Sequence, residues 1–254
     1  MACLDGALDF KQAFNHACGK NLLGAYYPAD LIVIDSETLA SLTERHTLNG
    51  VAEALKHGLT QSVELTERIV GPLRGRGGKA ALRDPEYLQS LCIETIEVKV
   101  PTLTHYHESD FNEMVPQYGH AAAHAIEHLS WHDGRAPLLH GEAVAIGMCV
   151  TAEIAGVMGK CTPAVVAQHY GYVGACGLPT RVPDTMTVEA ILEAMTYDKH
   201  FVAKPVMGLC ETIGVMATQP DGSYAHAIDL DVVREGFGRN MDGGRGVASG
   251  DSRK

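Results

Sequence analysis

The sequence predicts a mainly α-helical chain with a few short β elements. Three observations carry that expectation. Apolar residues recur at helical spacing over much of 37–199, the β-branched run LIVID (31–35) is short, and residues 204–229 read as a hairpin turning at PDGS. With 254 residues, 46% of them hydrophobic, the chain can bury one sizeable core.

Residues 1–30 join a short amphipathic stretch, LDFKQAF, to a loop, HACGKN. LIVID then reads as a strand ending at Asp35. TLNGVAEALKHGLTQSVELTERIV (47–70) places Val51, Ala54, Leu55, Leu59 and Val63 at helical spacing. GPLRGRGGKAALRDP (71–85) is a glycine-rich, basic connection. Its GRGGK lacks both the spacing of a phosphate loop and a preceding strand, which argues against nucleotide binding there. Residues 85–105 form the next predicted helix, with Tyr87, Leu91, Ile96 and Val100 inward. Further helices are expected at 119–131, 141–158, 163–174 and 187–199. The tail 236–254 is rich in Gly, Ser and Arg without apolar periodicity and is expected to be disordered, leaving 1–235 as the folded domain.

A formal net charge of −11 argues against nucleic acid or an anionic membrane as the main partner. No run of eighteen apolar residues suggests a membrane span. Seven scattered cysteines form no CxxC pair, and the first residues do not read as a signal peptide, so a reduced, cytoplasmic chain is expected.

The candidate chemistry lies in apolar helices. His120, His124 and Glu127 share a helix face. Two such histidines taken alone are explained well enough as buried, hydrogen-bonded groups. His140, opening a second apolar helix, and Glu53, inside VAEALKHGL, add weight to another reading. A buried carboxylate needs a cation, which Lys56 three residues on could also supply. Glu53, His120 and His140 would give three N/O ligands and an open position, the catalytic zinc pattern, but spacing alone does not bring them together. Asp5, Lys11, Lys20 and Asn21 suit a polyhydroxylated phosphate ester, or are surface charge. A metal-dependent hydrolase also stays open. It would lack HExxH and would have only Glu142 or Glu127 as a nearby base.

Five motifs in order, LDGALDFKQAFNHACGKNLLGAYYP, NGVAEALKHGL, YGHAAAHAIE, LLHGEAVAIGM and YDKH, resemble the sugar-phosphate cyclases of the dehydroquinate synthase superfamily. The resemblance implies that superfamily's helical C-terminal metal and substrate domain. It implies Zn2+ or Co2+ on Glu53, His120 and His140. It implies catalytic roles for Lys56, His124 and Lys11, and substrate-side roles for Asp5, Lys20, Asn21, Lys99, Gln117 and Lys199. The implied reaction runs in one site: NAD oxidises a hydroxyl, phosphate is eliminated, the hydride returns, and an aldol step closes the carbocycle.

Dehydroquinate synthases carry Arg-x-x-x-Asn before the GH motif, where this chain has Glu113 and Gln117. Glu113 would repel a carboxylate. The wording HAIEHLS and LLHGEAVAIGMCVTAEIA looks more like the 2-deoxy-scyllo-inosose synthases of aminocyclitol antibiotic biosynthesis, which implies glucose 6-phosphate as substrate. A valiolone-type heptulose phosphate follows. Two departures shape further expectations. GHTxGH reads GHAAAH, and Ala123 in place of Gly requires that nothing pack against it. The family's NAD-binding N-terminal domain would precede Asp5. The sequence therefore implies an incomplete NAD site, with a homodimer or a partner chain carrying that domain, or a non-catalytic subunit.

Overall fold

The computed structural model describes residues 2–16, 19–74, 78–103, 110–198, 201 and 203–243. The chain opens with two 3-10 turns, Ala2–Leu4 and Gly6–Leu8, which seat the fully buried Leu4 in the core. Two antiparallel strands follow, β1 (Lys11–His16) and β2 (Gly19–Tyr26), with an irregular register between Phe14 and His16. This hairpin replaces the expected amphipathic stretch and loop. It presents Phe14, Leu23 and Tyr26 to solvent. LIVID is not a strand. It is extended but joins no sheet among the described residues, and Leu31 and Val33 are about four-fifths exposed. Its β-branched composition suits a sheet that those residues do not supply.

A 3-10 turn at Ser36–Ser41 leads into α1 (Glu44–Gln61), capped by Thr43. The predicted 47–70 helix is broken at Ser62, which ends α1 and caps α2 (Val63–Leu73) by accepting from Leu65 N–H. Val63 is therefore exposed. A short α3 (Gly78–Ala81) precedes α4 (Pro85–Leu103). The buried stripe of α4 is Leu88, Leu91, Cys92, Thr95, Lys99 and Thr102, so Val100 faces out. The expected inward face is displaced because that stripe continues through polar residues that meet the N-terminal segment.

After α5 (Phe111–Met114) come α6 (His120–Ser130) and α7 (His140–Val157). Helix α7 is apolar all round and packs against α1, α6, α8 (Pro163–Ala175) and α10 (Leu230–Asp242), which makes it the central rod. Helix α9 (Val188–Met195) packs on α6. The 204–229 region holds two nested antiparallel pairs. β3 (Val206–Met207) pairs with β6 (His226–Ala227) outside β4 (Cys210–Thr212) and β5 (Val215–Met216). The PDGS turn forms as expected, pinned by Asp110, which accepts from Ser223 Oγ and Ala225 N–H. It connects β5 to β6 and does not close the inner pair.

The predicted disorder from 236 is corrected as far as 243. Helix α10 continues to Asp242 with Val233, Gly236, Phe237 and Asn240 buried. Its apolar periodicity is hidden because two of its four inward positions are Gly and Asn. A Cβ on Gly236 would sit 2.4 Å from Ile154 Cγ1, so the glycine permits contact with α7. Asn240 donates to Tyr170 Oη and Thr180 O and accepts from Val182 N–H. Residues 244–254 lie outside the described set. Among the described residues no helix is long and apolar enough to cross a membrane, and the cysteines are free thiols.

Candidate metal centre

Close backbone approaches bring α1, α6 and α7 together at one end. Gly119 precedes α6 with φ +77°, a left-handed conformation that favours glycine. A Cβ on Gly147 of α7 would lie 2.2 Å from Gly119 O, so α6 can rest directly on α7. Ala123 is fully buried, contrary to the expectation that nothing packs against it. Gly147, whose missing Cβ would lie 3.1 Å from Ala123 N, lets the α6 backbone at Ala123 approach α7. At the start of α7, Gly141 donates its N–H to Asn49 Oδ1, and a Cβ there would be 2.0 Å from Asn49 O. That contact sets α1, and Glu53 one turn on, beside His140.

Glu53, His120 and His140 therefore converge, each offering one ligand atom within 4.8 Å of the others. Glu53 and His120 are buried. His140 Nδ1 lies 2.8 Å from Glu127 Oε2, and His120 Nδ1 lies 3.2 Å from Tyr118 O. A carboxylate and a carbonyl only accept, so in the neutral imidazoles both protons sit on Nδ1 and both Nε2 atoms carry lone pairs. Those Nε2 atoms lie 3.2 Å (His140) and 3.9 Å (His120) from Glu53 Oε1. That buried oxygen has no hydrogen-bond partner. With both imidazoles neutral, three acceptor atoms converge at this point. A cation of the kind that N/O donor sets bind fits this arrangement.

The charge states agree. Burial pushes the Glu53 carboxyl up, but the Lys56 ammonium 2.8 Å from Oε2, together with His140 and His120, outweighs it and holds Glu53 ionised, well below the usual carboxylate range. Burial, then Lys56, keeps His120 neutral, its pKa far below that of an exposed imidazole. The partners on Nδ1 fix ring orientation as the outer partners of metal-bound histidines do.

Below this cluster lies a second. Lys56 also donates to Asp5 Oδ2 at 3.1 Å, and His57 Nε2 meets Asp5 Oδ1 at 3.1 Å. Lys99 donates to Asp5 O at 2.7 Å, to Asp5 Oδ1 and to Asp9 Oδ1 at 2.7 Å. Both ammonium groups are almost wholly buried and engaged by carboxylates. The expected partners Asp5, Lys56 and Lys99 are thus brought together, but as an ion network in the protein interior.

His124 stands beside the candidate ligands, its ring centroid 5.4 Å from that of His120 and 6.0 Å from that of His140. Gln117 precedes α6 with Oε1 buried and unpartnered. Lys11 lies in β1, and Lys20 and Asn21 lie in β2. Their side chains, and all of Lys199, fall outside the described residues. Glu142, weighed as a base, is taken up otherwise. It is held bidentately by Arg45 and accepts from Leu139 N–H at the start of α7. Sequence reasoning missed Tyr118 O, His57, Asp9 and Asp198. All four lie inside the quoted motifs, but nothing in those motifs shows which atoms they would meet.

Comparisons with known proteins give the family and the fold of the chain. Residues 50–201 match the family model described as 3-dehydroquinate synthase C-terminal, and residues 1–49 match 3-dehydroquinate synthase N-terminal. A 2-deoxy-scyllo-inosose synthase from Streptomyces lividus is 31% identical over 198 residues, 78% of this chain and 50% of that protein. A 3-dehydroquinate synthase from Pelobacter propionicus is 30% identical over 226 residues, 86% of this chain and 61% of that protein. The chain thus spans about half to three-fifths of the length of these relatives. Among solved structures, 2-deoxy-scyllo-inosose synthase complexed with carbaglucose-6-phosphate, NAD+ and Co2+ superposes with a TM-score of 0.79 at 24% identity, covering 94% of this chain and 65% of that one. A 2-epi-5-epi-valiolone synthase from Streptomyces hygroscopicus with NAD+ and Zn2+ bound gives 0.74 at 23% identity, covering 93% and 62%. At these identities the structural likeness establishes the fold.

Proposed function

The chain belongs to the 3-dehydroquinate synthase family, and on that premise we propose that it is the metal- and substrate-binding part of a sugar-phosphate cyclase. The observation that carries the proposal is the convergence of Glu53, His120 and His140, whose ligand atoms lie within 4.8 Å of one another. These residues would hold Zn2+ or Co2+, which the donor set accepts equally. Bound there, the ion would supply Lewis-acid polarisation of a substrate oxygen.

The chain's own residues divide the remaining work. Lys56 keeps Glu53 ionised, and Glu127 and Tyr118 O aim His140 and His120. His124 serves proton transfer at the reacting sugar. The family resemblance assigns Lys11, Lys20, Asn21, Gln117 and Lys199 to the sugar phosphate, and Lys99 and Asp5 would hold the floor beneath it. The preferred substrate is glucose 6-phosphate, converted to 2-deoxy-scyllo-inosose with loss of phosphate. Glu113 in place of the family's Arg disfavours the carboxylate-bearing dehydroquinate precursor, and a heptulose phosphate is the next choice. NAD binding would be completed by an N-terminal domain of the family type, in the same protein or on a partner chain.

The test is metal content and phosphate release with NAD and three substrates: glucose 6-phosphate, sedoheptulose 7-phosphate and the dehydroquinate precursor. One ion per chain is expected, lost in His120→Ala. Release from one sugar that vanishes in the variant names the substrate. Metal without release, restored by an NAD-domain chain, identifies half of an enzyme. A chain that retains no metal ends the proposal.

A further inference from the structure

We infer that Asp198 is a positioning residue: its carboxylate fixes His124 as the Nδ1–H tautomer and leaves Nε2 as the proton-accepting nitrogen. The inference rests on the reading of this site as a cyclase centre. His124 Nδ1 lies 2.7 Å from Asp198 Oδ2, and the Asp198 side chain is only 7% exposed. An ionised carboxylate accepts and cannot donate, so the proton of this bond belongs to Nδ1. The tautomer of an imidazole follows from the bond its other nitrogen makes.

Helix packing builds the pair from distant sequence. Helix α9 buries Ile191, Leu192 and Met195 and packs on α6. The chain then turns, with Asp198 N–H donating to Met195 O at 3.0 Å, and this places Asp198 against His124, 74 residues earlier. The three imidazoles of the site thus carry three different orienting acceptors. Tyr118 O and the Glu127 carboxylate serve the two histidines that face Glu53 Oε1. Asp198 serves the third, which lies outside the set of converging ligand atoms. A histidine held by a carboxylate, beside a candidate metal but not among its ligands, has the arrangement of a general base. It would take a proton from the hydroxyl or the activated C–H of a sugar phosphate.

The experiment is nitrogen-15 NMR of histidine-labelled, zinc-loaded full-length chain at neutral pH, with His124→Gln used to assign the ring. The expected wild-type spectrum has the proton on Nδ1 of His124. In Asp198→Asn the amide can donate to Nδ1 as well as accept from it, so the Nδ1–H tautomer is no longer enforced and an Nε2–H population appears, while zinc content stays at the wild-type level. Asp198→Glu restores the wild-type tautomer. Where a complete enzyme turns over, Asp198→Asn lowers kcat by about 100-fold with little change in KM. A wild-type Nε2–H ring overturns the inference without need of any variant, and so does an unchanged tautomer in a folded Asp198→Asn. Phosphate release together with an Nε2–H ring would reject the positioning role and keep the cyclase. The expected tautomer without release from any sugar, NAD domain supplied, would reject the cyclase and keep the pair.

Discussion

Two buried charge clusters share one lysine and differ in a single respect. Around Asp5, every partner is protein: Lys56, His57 and Lys99 surround its carboxylate. Around Glu53, Lys56 satisfies one oxygen, and the other faces the Nε2 atoms of His140 and His120. The first cluster is closed and adds specificity to the packing of the N-terminal segment on α1 and α4. The second is open and stays costly until a cation enters. Burial and charge are alike in both, so proton direction is what separates a structural network from a binding site.

The largest effect that tests this difference comes from the open cluster. His120→Ala removes one of three ligands, and metal affinity should fall by more than the roughly 100-fold that loss of an outer partner brings. Dialysis against a chelator followed by elemental analysis measures it. Full retention of metal by the variant would break the contrast.

The closed cluster should answer in stability. Asp5→Asn leaves Lys99 and Lys56 short of charge compensation in the interior, and about 3–5 kcal/mol is expected from breaking such a pair. Urea unfolding of the metal-free chain reads it. A loss under about 1 kcal/mol, the scale of an exposed pair, would mean that solvent or Asp9 and Glu53 already balance both lysines.

His169 sharpens the contrast from a third side. It is wholly buried, accepts from Tyr118 Oη at Nε2 and donates from Nδ1 to Val165 O. With both nitrogens used, it has nothing to offer a metal. Burial lowers its pKa from 6.5 to about 4. The unfolded chain therefore binds the extra proton first as pH falls. Stability from this group is complete above about pH 6.5 and is lost progressively down to about pH 4, by about 3 kcal/mol in all. His57 and His120 are depressed too, so the measurement is the difference between wild type and His169→Gln across that window. The variant should show the shallower slope, and parallel curves would refute the assignment.

Much of this was legible in the sequence, for identifiable reasons. The helices of the core announced themselves because α1, α6 and α7 are apolar and well spaced. Glu53, His120 and His140 were legible as polar residues in such helices, and the family motifs supplied the link that spacing could not. What stayed hidden depends on three-dimensional partners. Tyr118 contributes a backbone carbonyl, which no residue type signals. Asp198 acts across 74 residues. Lys99 received a substrate-side role from the resemblance alone, and its buried partners Asp5 and Asp9 are visible only in the fold. Propensity alone fails at LIVID for the converse reason, since a strand needs a neighbouring strand as well as its own β-branched residues.

The smallest of these effects is also the most discriminating. Glu127 touches no part of Glu53 in the proposed set, yet it holds His140 through Nδ1. Glu127→Gln keeps the shape and an acceptor oxygen but removes the charge. Metal affinity should weaken by about 10- to 100-fold, while His120→Ala loses more and Asp198→Asn loses none. Competition with a chelator of known affinity ranks the three variants on one scale. That ranking follows only if His140 and His120 are ligands and His124 is not. An Asp198→Asn defect as large as that of Glu127→Gln would place His124 on the metal and merge the two roles that the geometry keeps apart.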